Sequence, residues 1–91
     1  MRLARVIGTV VATRKEDSLT GLKMLVIEEI DARTGEGKDD RLVVVDTLGA
    51  GVGDVVLWVR GGAARVISDV HRAAPLDAAI VGIIDTVDVR E

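Results

Sequence analysis

Hydrophobic and polar residues alternate along five stretches of the chain, which is the pattern of β-strands that bury one face. The first stretch is typical, because Ala4, Val6 and Val10 share one face while Arg5 and Thr9 share the other. The other stretches are rich in Val and Ile and are bounded by glycine or charged residues. The five predicted strands cover residues 2–13, 22–30, 41–46, 55–59 and 78–89.

The segments between the strands are polar or rich in glycine. Residues 31–40, DARTGEGKDD, predict a mobile hairpin loop because charge is combined with two glycines. Residues 63–68, AARVIS, predict a helix of about two turns, which is too short to be stable unless it docks on the strands. Five short strands and one short helix predict a mainly β fold, a small five-stranded β-barrel of the oligonucleotide-binding (OB) type, with residues 1–91 as one domain.

The last predicted strand is apolar on both faces, at Ile80, Val81, Ile83 and Ile84. An antiparallel strand that faces solvent on one side needs only one apolar face. The composition agrees, since 48% of the 91 residues are hydrophobic, whereas a domain this small buries only about 60% of the surface of its unfolded chain. We therefore expect part of the apolar surface to meet another subunit.

A glycine-rich turn precedes the fourth strand, with Gly49, Gly51 and Gly53 inside five residues. Glycine-rich loops that bind phosphate groups lie between a strand and a helix. Here the turn leads into the β-branched run 55–59, which predicts a strand. The pattern therefore favours a turn between two barrel strands over a dinucleotide site.

The sequence offers little for catalysis, a metal or a cofactor. It has no cysteine, which excludes thiol catalysis and thiolate ligands, and its single histidine, His71, has no second ligand at metal spacing. Asp39 and Asp40 are adjacent carboxylates, but they are better explained as a solvated loop tip than as a cation site. We therefore expect a protein that is not an enzyme and has no cofactor.

Charge and aromatic content bear on the partners. Barrels that bind single-stranded nucleic acid stack bases on aromatic side chains in a basic groove, but this chain has one Trp, no Phe or Tyr, and a net charge of −3. Its apolar runs are too short for a transmembrane helix, and its first residues lack a signal-peptide cleavage site. We expect a cytoplasmic protein without nucleic-acid or membrane partners, and an OB-type binding module for nucleic acid or a small ligand is the alternative.

Four segments carry a family resemblance: ARVIGTVVATRK, LTGLKMLVI, VDTLGAGVGDVVLWVRGGAAR and PLDAAIVGIID. In this order and spacing the chain resembles the EutN/CcmL-like vertex proteins of bacterial microcompartments. The resemblance implies a structural shell protein, a five-stranded barrel that forms homo-pentamers and caps the vertices of a carboxysome or metabolosome among hexameric shell proteins. Gly61 and Gly62 stand where many relatives have glycine and serine, which affects a helix cap but not the assignment.

The resemblance also implies where the subunits meet. We expect the glycine-rich turn near the fivefold axis or a subunit seam, and Arg65, at the start of the short helix, to bond backbone carbonyls or Asp side chains at an interface. The predicted pore or interface residues are Leu48, Gly49, Ala50, Gly51, Gly53, Arg65, Ile80, Val81, Ile83 and Ile84. Neither the cargo of the compartment nor a count of five rather than six subunits follows from the sequence.

Overall fold

A computed structural model describes residues 1–12, 22–61 and 77–90, and these residues form a closed β-barrel. The mainly β, five-stranded barrel predicted from the alternation is thereby confirmed. The strands follow the order β1-β2-β3-β5-β4 around the barrel, and β4 closes it by pairing with β1. They are β1 (Arg2–Val10), β2 (Lys23–Ile30), β3 (Gly37–Asp46), β4 (Val55–Arg60) and β5 (Ala78–Ile84).

Four of the five strand pairs are antiparallel, and the pair formed by β3 and β5 is parallel. That parallel contact is short, with Val45 opposite Ala79 as its only register partners. Because β5 lies between β3 and β4, these two consecutive strands are not neighbours. The glycine-rich turn therefore connects two separated strands instead of closing a hairpin.

The barrel interior is filled by alternate residues of the strands, as period-two patterning requires. Each fully buried Val, Leu or Ile contributes roughly 1.5–3 kcal/mol relative to exposure. The largest fully buried side chains are Trp58, Leu25, Ile27, Ile80, Val6, Val44 and Val56. A second, smaller cluster of Leu22, Val45 and Ala79 packs with Met24 and Val59 on the opposite face of the sheet.

Gly8 lies at an irregularity of β1. The register of β1 against β2 shifts between Val6 and Gly8, and an extra residue at such a shift bends the strand. A Cβ atom on Gly8 would lie 3.8 Å from the Val26 Cβ, which is ordinary contact. The glycine therefore lies at the irregularity of the strand, and no close neighbour requires it.

The predicted loop 31–40 is wrong in its second half, because β3 begins at Gly37 rather than at residue 41. The extension pairs with β2, where Ile30 faces Gly37 across a register shift. Arg41 contacts the carboxylates of Glu28 at 3.6 Å and Asp39 at 3.5 Å. The first residues of β3 are exposed and pair with β2 through backbone hydrogen bonds and ion pairs. Because they bury no apolar side chains, they show no hydrophobic alternation.

Two predicted strands are too long at their C-terminal ends. β1 ends at Val10 instead of residue 13, and β5 ends at Ile84 instead of residue 89. Val11, Val87 and Val89 are exposed and lie outside any strand, because alternation alone forms no strand without a pairing partner. The predicted helix 63–68 lies outside the described residues. Within the described ranges there is no helix with the length and hydropathy needed to cross a membrane.

Candidate subunit interface

The first half of the glycine-rich turn is organised by the carboxylate of Asp46, the last residue of β3. Its oxygens accept hydrogen bonds from the backbone N–H groups of Leu48 (2.8 Å), Gly49 (3.1 Å) and Ala50 (2.7 Å). Asp46 is only 3% exposed. Asp at this position satisfies three backbone donors of the turn, of which the Ala50 N–H is buried and would otherwise have no partner.

The second half of the turn is tied to Asp54 and to β1. The Asp54 carboxylate accepts a hydrogen bond from the Gly51 N–H at 2.9 Å. The N–H of Gly53 donates to the Val6 carbonyl, and the N–H of Val6 donates to the Asp54 carbonyl, both at 2.9 Å. The turn is therefore a defined structure in which both ends are anchored to the barrel.

Ala50 is the point where this turn enters the core. Its side chain is fully buried in the main hydrophobic cluster, and its carbonyl accepts a hydrogen bond from Lys23 Nζ. Lys23 and Asp46 are register partners on β2 and β3, so they hold the turn from both strands. The roles of Lys23 and Asp46 were not expected from the sequence. An Asp just before a glycine-rich turn is the signal that indicates such a carboxylate.

The three glycines have different reasons to be present. Gly49 (φ 90°) and Gly53 (φ 97°) adopt left-handed backbone conformations that favour glycine. Gly51 lies outside that region, and a Cβ placed on it would find no atom within 4 Å. Among the described residues of one subunit, nothing requires glycine at this position.

An apolar groove lies beside the turn, lined by Thr47, Leu48, Ile80 and Val81 and enclosing about 200 Å³. We call these four residues the turn groove. Leu48 is 50% exposed and Val81 is 37% exposed, whereas Ile80 is buried in the core. The structure therefore brings Leu48 of the predicted turn residues together with Ile80 and Val81 of the last strand.

The other predicted interface residues of β5 do not line the turn groove. Ile83 is exposed and Ile84 is half-buried further along β5, outside the turn groove. Val52, at the tip of the turn, adds a further exposed apolar side chain. Arg65 and His71 lie outside the described residues.

The carboxylates of the described residues are dispersed. Asp39 is exposed and pairs with Arg41, and Asp40 is exposed on the same strand. Hydrogen bonds from the backbone N–H groups of Arg33 and Thr34 lower the pKa of Asp31 below its ordinary value of 3.8. In the described ranges no three His, Cys, Asp or Glu residues are grouped so that they could hold a metal ion.

The chain matches a protein family described as ethanolamine utilisation protein EutN/carboxysome over residues 1–85. It is 50% identical over 88 residues to the carboxysome shell vertex protein CcmL of Thermosynechococcus vestitus, covering 96% of this chain and 86% of that protein. It is also 44% identical over 93 residues to the microcompartment shell vertex protein PduN of Salmonella typhimurium, covering 94% and 97% respectively.

The solved structures that resemble this chain are also microcompartment shell proteins. The pentameric microcompartment shell protein GrpN of Rhodospirillum rubrum superposes with a TM-score of 0.88 at 42% identity and covers all of both chains. The CcmL structure of Gloeobacter violaceus superposes with a TM-score of 0.90 at 43% identity, covering 98% of this chain and 90% of that one. Matches at this identity and coverage show common ancestry as well as a common fold. The chain belongs to the EutN/CcmL family of bacterial microcompartment shell vertex proteins.

Proposed function

We propose that this chain forms a homo-pentamer that closes the vertices of a microcompartment shell next to hexameric shell proteins. The observation that carries the proposal is the turn groove, a largely apolar surface beside a turn that is hydrogen-bonded at both ends. GrpN, to which the chain is 42% identical, is a pentameric shell protein. The function is structural, as in the vertex proteins of this family, and not enzymatic.

A closed ring of identical subunits uses two different patches on each subunit, because every contact is head to tail. The turn and β5 supply one such patch, with Leu48 and Val81 exposed at its centre. Gly51 leaves space at the turn surface that a neighbouring subunit can enter. The proposed interface residues are Leu48, Gly49, Ala50, Gly51, Gly53, Ile80, Val81, Ile83 and Ile84, and Arg65 is proposed to work at an interface as well.

The shell role follows from geometry. Hexameric proteins tile a flat layer, and closing a polyhedron requires pentagonal units at its corners. A pentamer of this chain supplies such a unit in the shell of a bacterial compartment. Its relative CcmL is named as a vertex protein of the carboxysome shell, and its relative PduN as a vertex protein of a bacterial microcompartment shell. The alternative of an OB-type binding module for nucleic acid is not favoured, because the only aromatic side chain, Trp58, is buried in the barrel.

Native mass spectrometry of the full chain at low micromolar concentration tests the proposal. We expect a mass of five subunits. A monomer or dimer would contradict the vertex function, and a hexamer would contradict the corner position. Expression in cells that lack their own vertex protein then tests the function, since a vertex pentamer is expected to restore closed shells and a pentamer without this function leaves them open.

A further inference from the structure

A second cavity lies at the opposite end of β4 from the glycine-rich turn. It encloses about 330 Å³ and is lined by Met1, Arg2, Trp58, Val59 and Arg60. None of these residues belongs to the turn groove or to the proposed subunit interface. Their chemistry therefore needs its own explanation.

Two guanidinium groups and an indole share the inner side of this barrel end. Arg2 and Trp58 are register partners on β1 and β4, and Arg60 follows Trp58 by two residues, so all three lie on the same face of the sheet. The ring of Trp58 supports Arg60, whose Cζ lies 5.3 Å from the ring centroid. The cavity therefore presents two permanent positive charges close to an aromatic wall.

These positive charges are only partly neutralised. Arg2 Nη1 contacts Glu29 Oε1 at 3.3 Å, and the Arg2 side chain remains 61% exposed. Arg60 forms no ion pair in the part of the chain that the structure describes. Among the described lining residues and their ion-pair partners, two guanidinium groups face one carboxylate, so this lining carries a net positive charge although the chain as a whole is acidic.

Trp58 adds an unused hydrogen-bond donor. The residue is 2% exposed, and its buried Nε1 has no hydrogen-bond partner among the described residues. Buried indole N–H groups normally find an acceptor. Trp58 therefore contributes to the cavity wall an indole whose N–H is unsatisfied among the described residues.

We infer that this cavity binds a small oxyanion, the phosphate or carboxylate group of a small molecule. Arg2 and Arg60 supply charge-assisted hydrogen bonds in the planar geometry that suits carboxylate and phosphate oxygens, and the indole of Trp58 forms the adjoining wall. The competing explanation is that Arg60 only stacks on Trp58 and that the cavity holds water. The two explanations differ in whether the cavity saturates with an anion.

Trp58 is the only aromatic residue of the chain, so intrinsic fluorescence reports on this cavity alone. The assembled protein is titrated with inorganic phosphate, and separately with acetate, at an ionic strength held constant with chloride. We expect a saturable change with at least one of the two anions, and the anion with the lower midpoint identifies the preferred group. Isothermal titration calorimetry provides a second readout that does not depend on the indole.

Three variants assign the binding to the cavity. Arg60→Gln and Arg2→Gln each remove one guanidinium and are expected to raise the midpoint at least about tenfold, as for the loss of a charge-assisted hydrogen bond. Arg90→Gln is the matched control, because Arg90 is an exposed arginine that pairs with Asp88 outside the barrel. Native mass spectrometry of each variant verifies that assembly is intact. If Arg60→Gln impairs assembly, the midpoint of Arg2→Gln decides.

The inference is overturned if neither fluorescence nor calorimetry of the wild-type protein saturates with either anion. It is also overturned if the cavity variants bind as tightly as wild type, or if Arg90→Gln weakens binding to the same extent. Because the titration uses a protein of verified subunit number, absence of binding leaves the proposed vertex function standing. Conversely, binding by a chain that is not pentameric would support the anion site alone.

Discussion

Two turns of this barrel are organised by the same chemistry in different surroundings. In the charged turn at residues 31–36, Asp31 Oδ1 accepts hydrogen bonds from the N–H groups of Arg33 (2.8 Å) and Thr34 (3.1 Å). In the glycine-rich turn, Asp46 accepts three such bonds. Residues 32–34 around the first carboxylate are exposed, whereas Asp46 is buried and lies next to Ala50, a core residue.

The comparison indicates that burial determines how much a turn carboxylate contributes to the stability of the fold. When the charged turn loses its carboxylate, water replaces the lost acceptor. In the glycine-rich turn the Ala50 N–H is buried, so the same loss leaves a donor without any partner. The glycine-rich turn is therefore anchored in the barrel core through Ala50, whereas the charged turn lies outside the core.

The largest effect is expected for Asp46→Ala. Three backbone hydrogen bonds to a charged acceptor are lost, and we expect the free energy of unfolding to fall by about 3 kcal/mol. Urea denaturation at a fixed protein concentration measures this change. Asp31→Ala is the matched variant on the exposed turn and is expected to shift the denaturation midpoint far less. Equal shifts for the two variants would show that burial does not distinguish the turns.

Gly53→Ala is expected to cost about 1–2 kcal/mol, because its φ of 97° is unfavourable for a residue with a Cβ. Gly35 on the charged turn has a φ of 75° and, like Gly53, has open space around its Cβ position. Backbone strain does not depend on burial, so Gly35→Ala should cost about the same by urea denaturation. A much smaller cost for Gly35→Ala would mean that the exposed turn relaxes its backbone.

Gly51→Val separates assembly from subunit stability. Within the subunit the new side chain meets no atom within 4 Å of its Cβ, so little change in subunit unfolding is expected. At the proposed seam it would collide with a neighbour, so native mass spectrometry should show fewer pentamers. Ala32→Val adds comparable bulk to the exposed turn and should leave the pentamer intact. If Gly51→Val also leaves both the assembly mass and the melting temperature unchanged, the turn is an ordinary loop.

The smallest effect is expected for Asp31→Asn and depends on pH. Backbone hydrogen bonds lower the pKa of Asp31 in the folded state, so its stabilisation is present above the ordinary value of 3.8 and is lost as pH falls through the lowered value. The melting temperatures of wild type and variant should therefore differ slightly at neutral pH and converge in acid. Asp40→Asn removes a charge from the neighbouring strand as a control. A difference that grows on acidification would contradict this linkage.

The structure confirms what alternation and turn residues predict about the number and type of elements. Five strands occur where five were expected, and the segments flanking the glycine-rich turn are strands on both sides. The errors lie at strand ends. Gly37 begins β3 because ion pairs and a register shift extend its pairing with β2 beyond the hydrophobic part, and neither feature has a sequence period.

Of the candidate site, the sequence indicated Leu48 and Val81 as interface residues, and the structure brings both to one groove. The Asp before the glycine-rich turn is a local signal for a turn carboxylate, but the burial of Asp46 and its position opposite Lys23 depend on the tertiary structure. Nor did the sequence relate Arg2 to Trp58, which lie 56 positions apart and meet only because β1 pairs with β4.

The sequence by itself determined the strand content, the turn positions and the family, since side-chain alternation, glycine conformations and segment order are all local properties. Only the tertiary structure decided that β5 separates β3 from β4, that Asp46 is buried while the Asp31 turn is exposed, and that two arginines and Trp58 line one cavity. The physical reason is that alternation specifies which face of a strand is buried. It does not specify which strand lies beside it, and burial, electrostatic pairing and cavities depend on those neighbours.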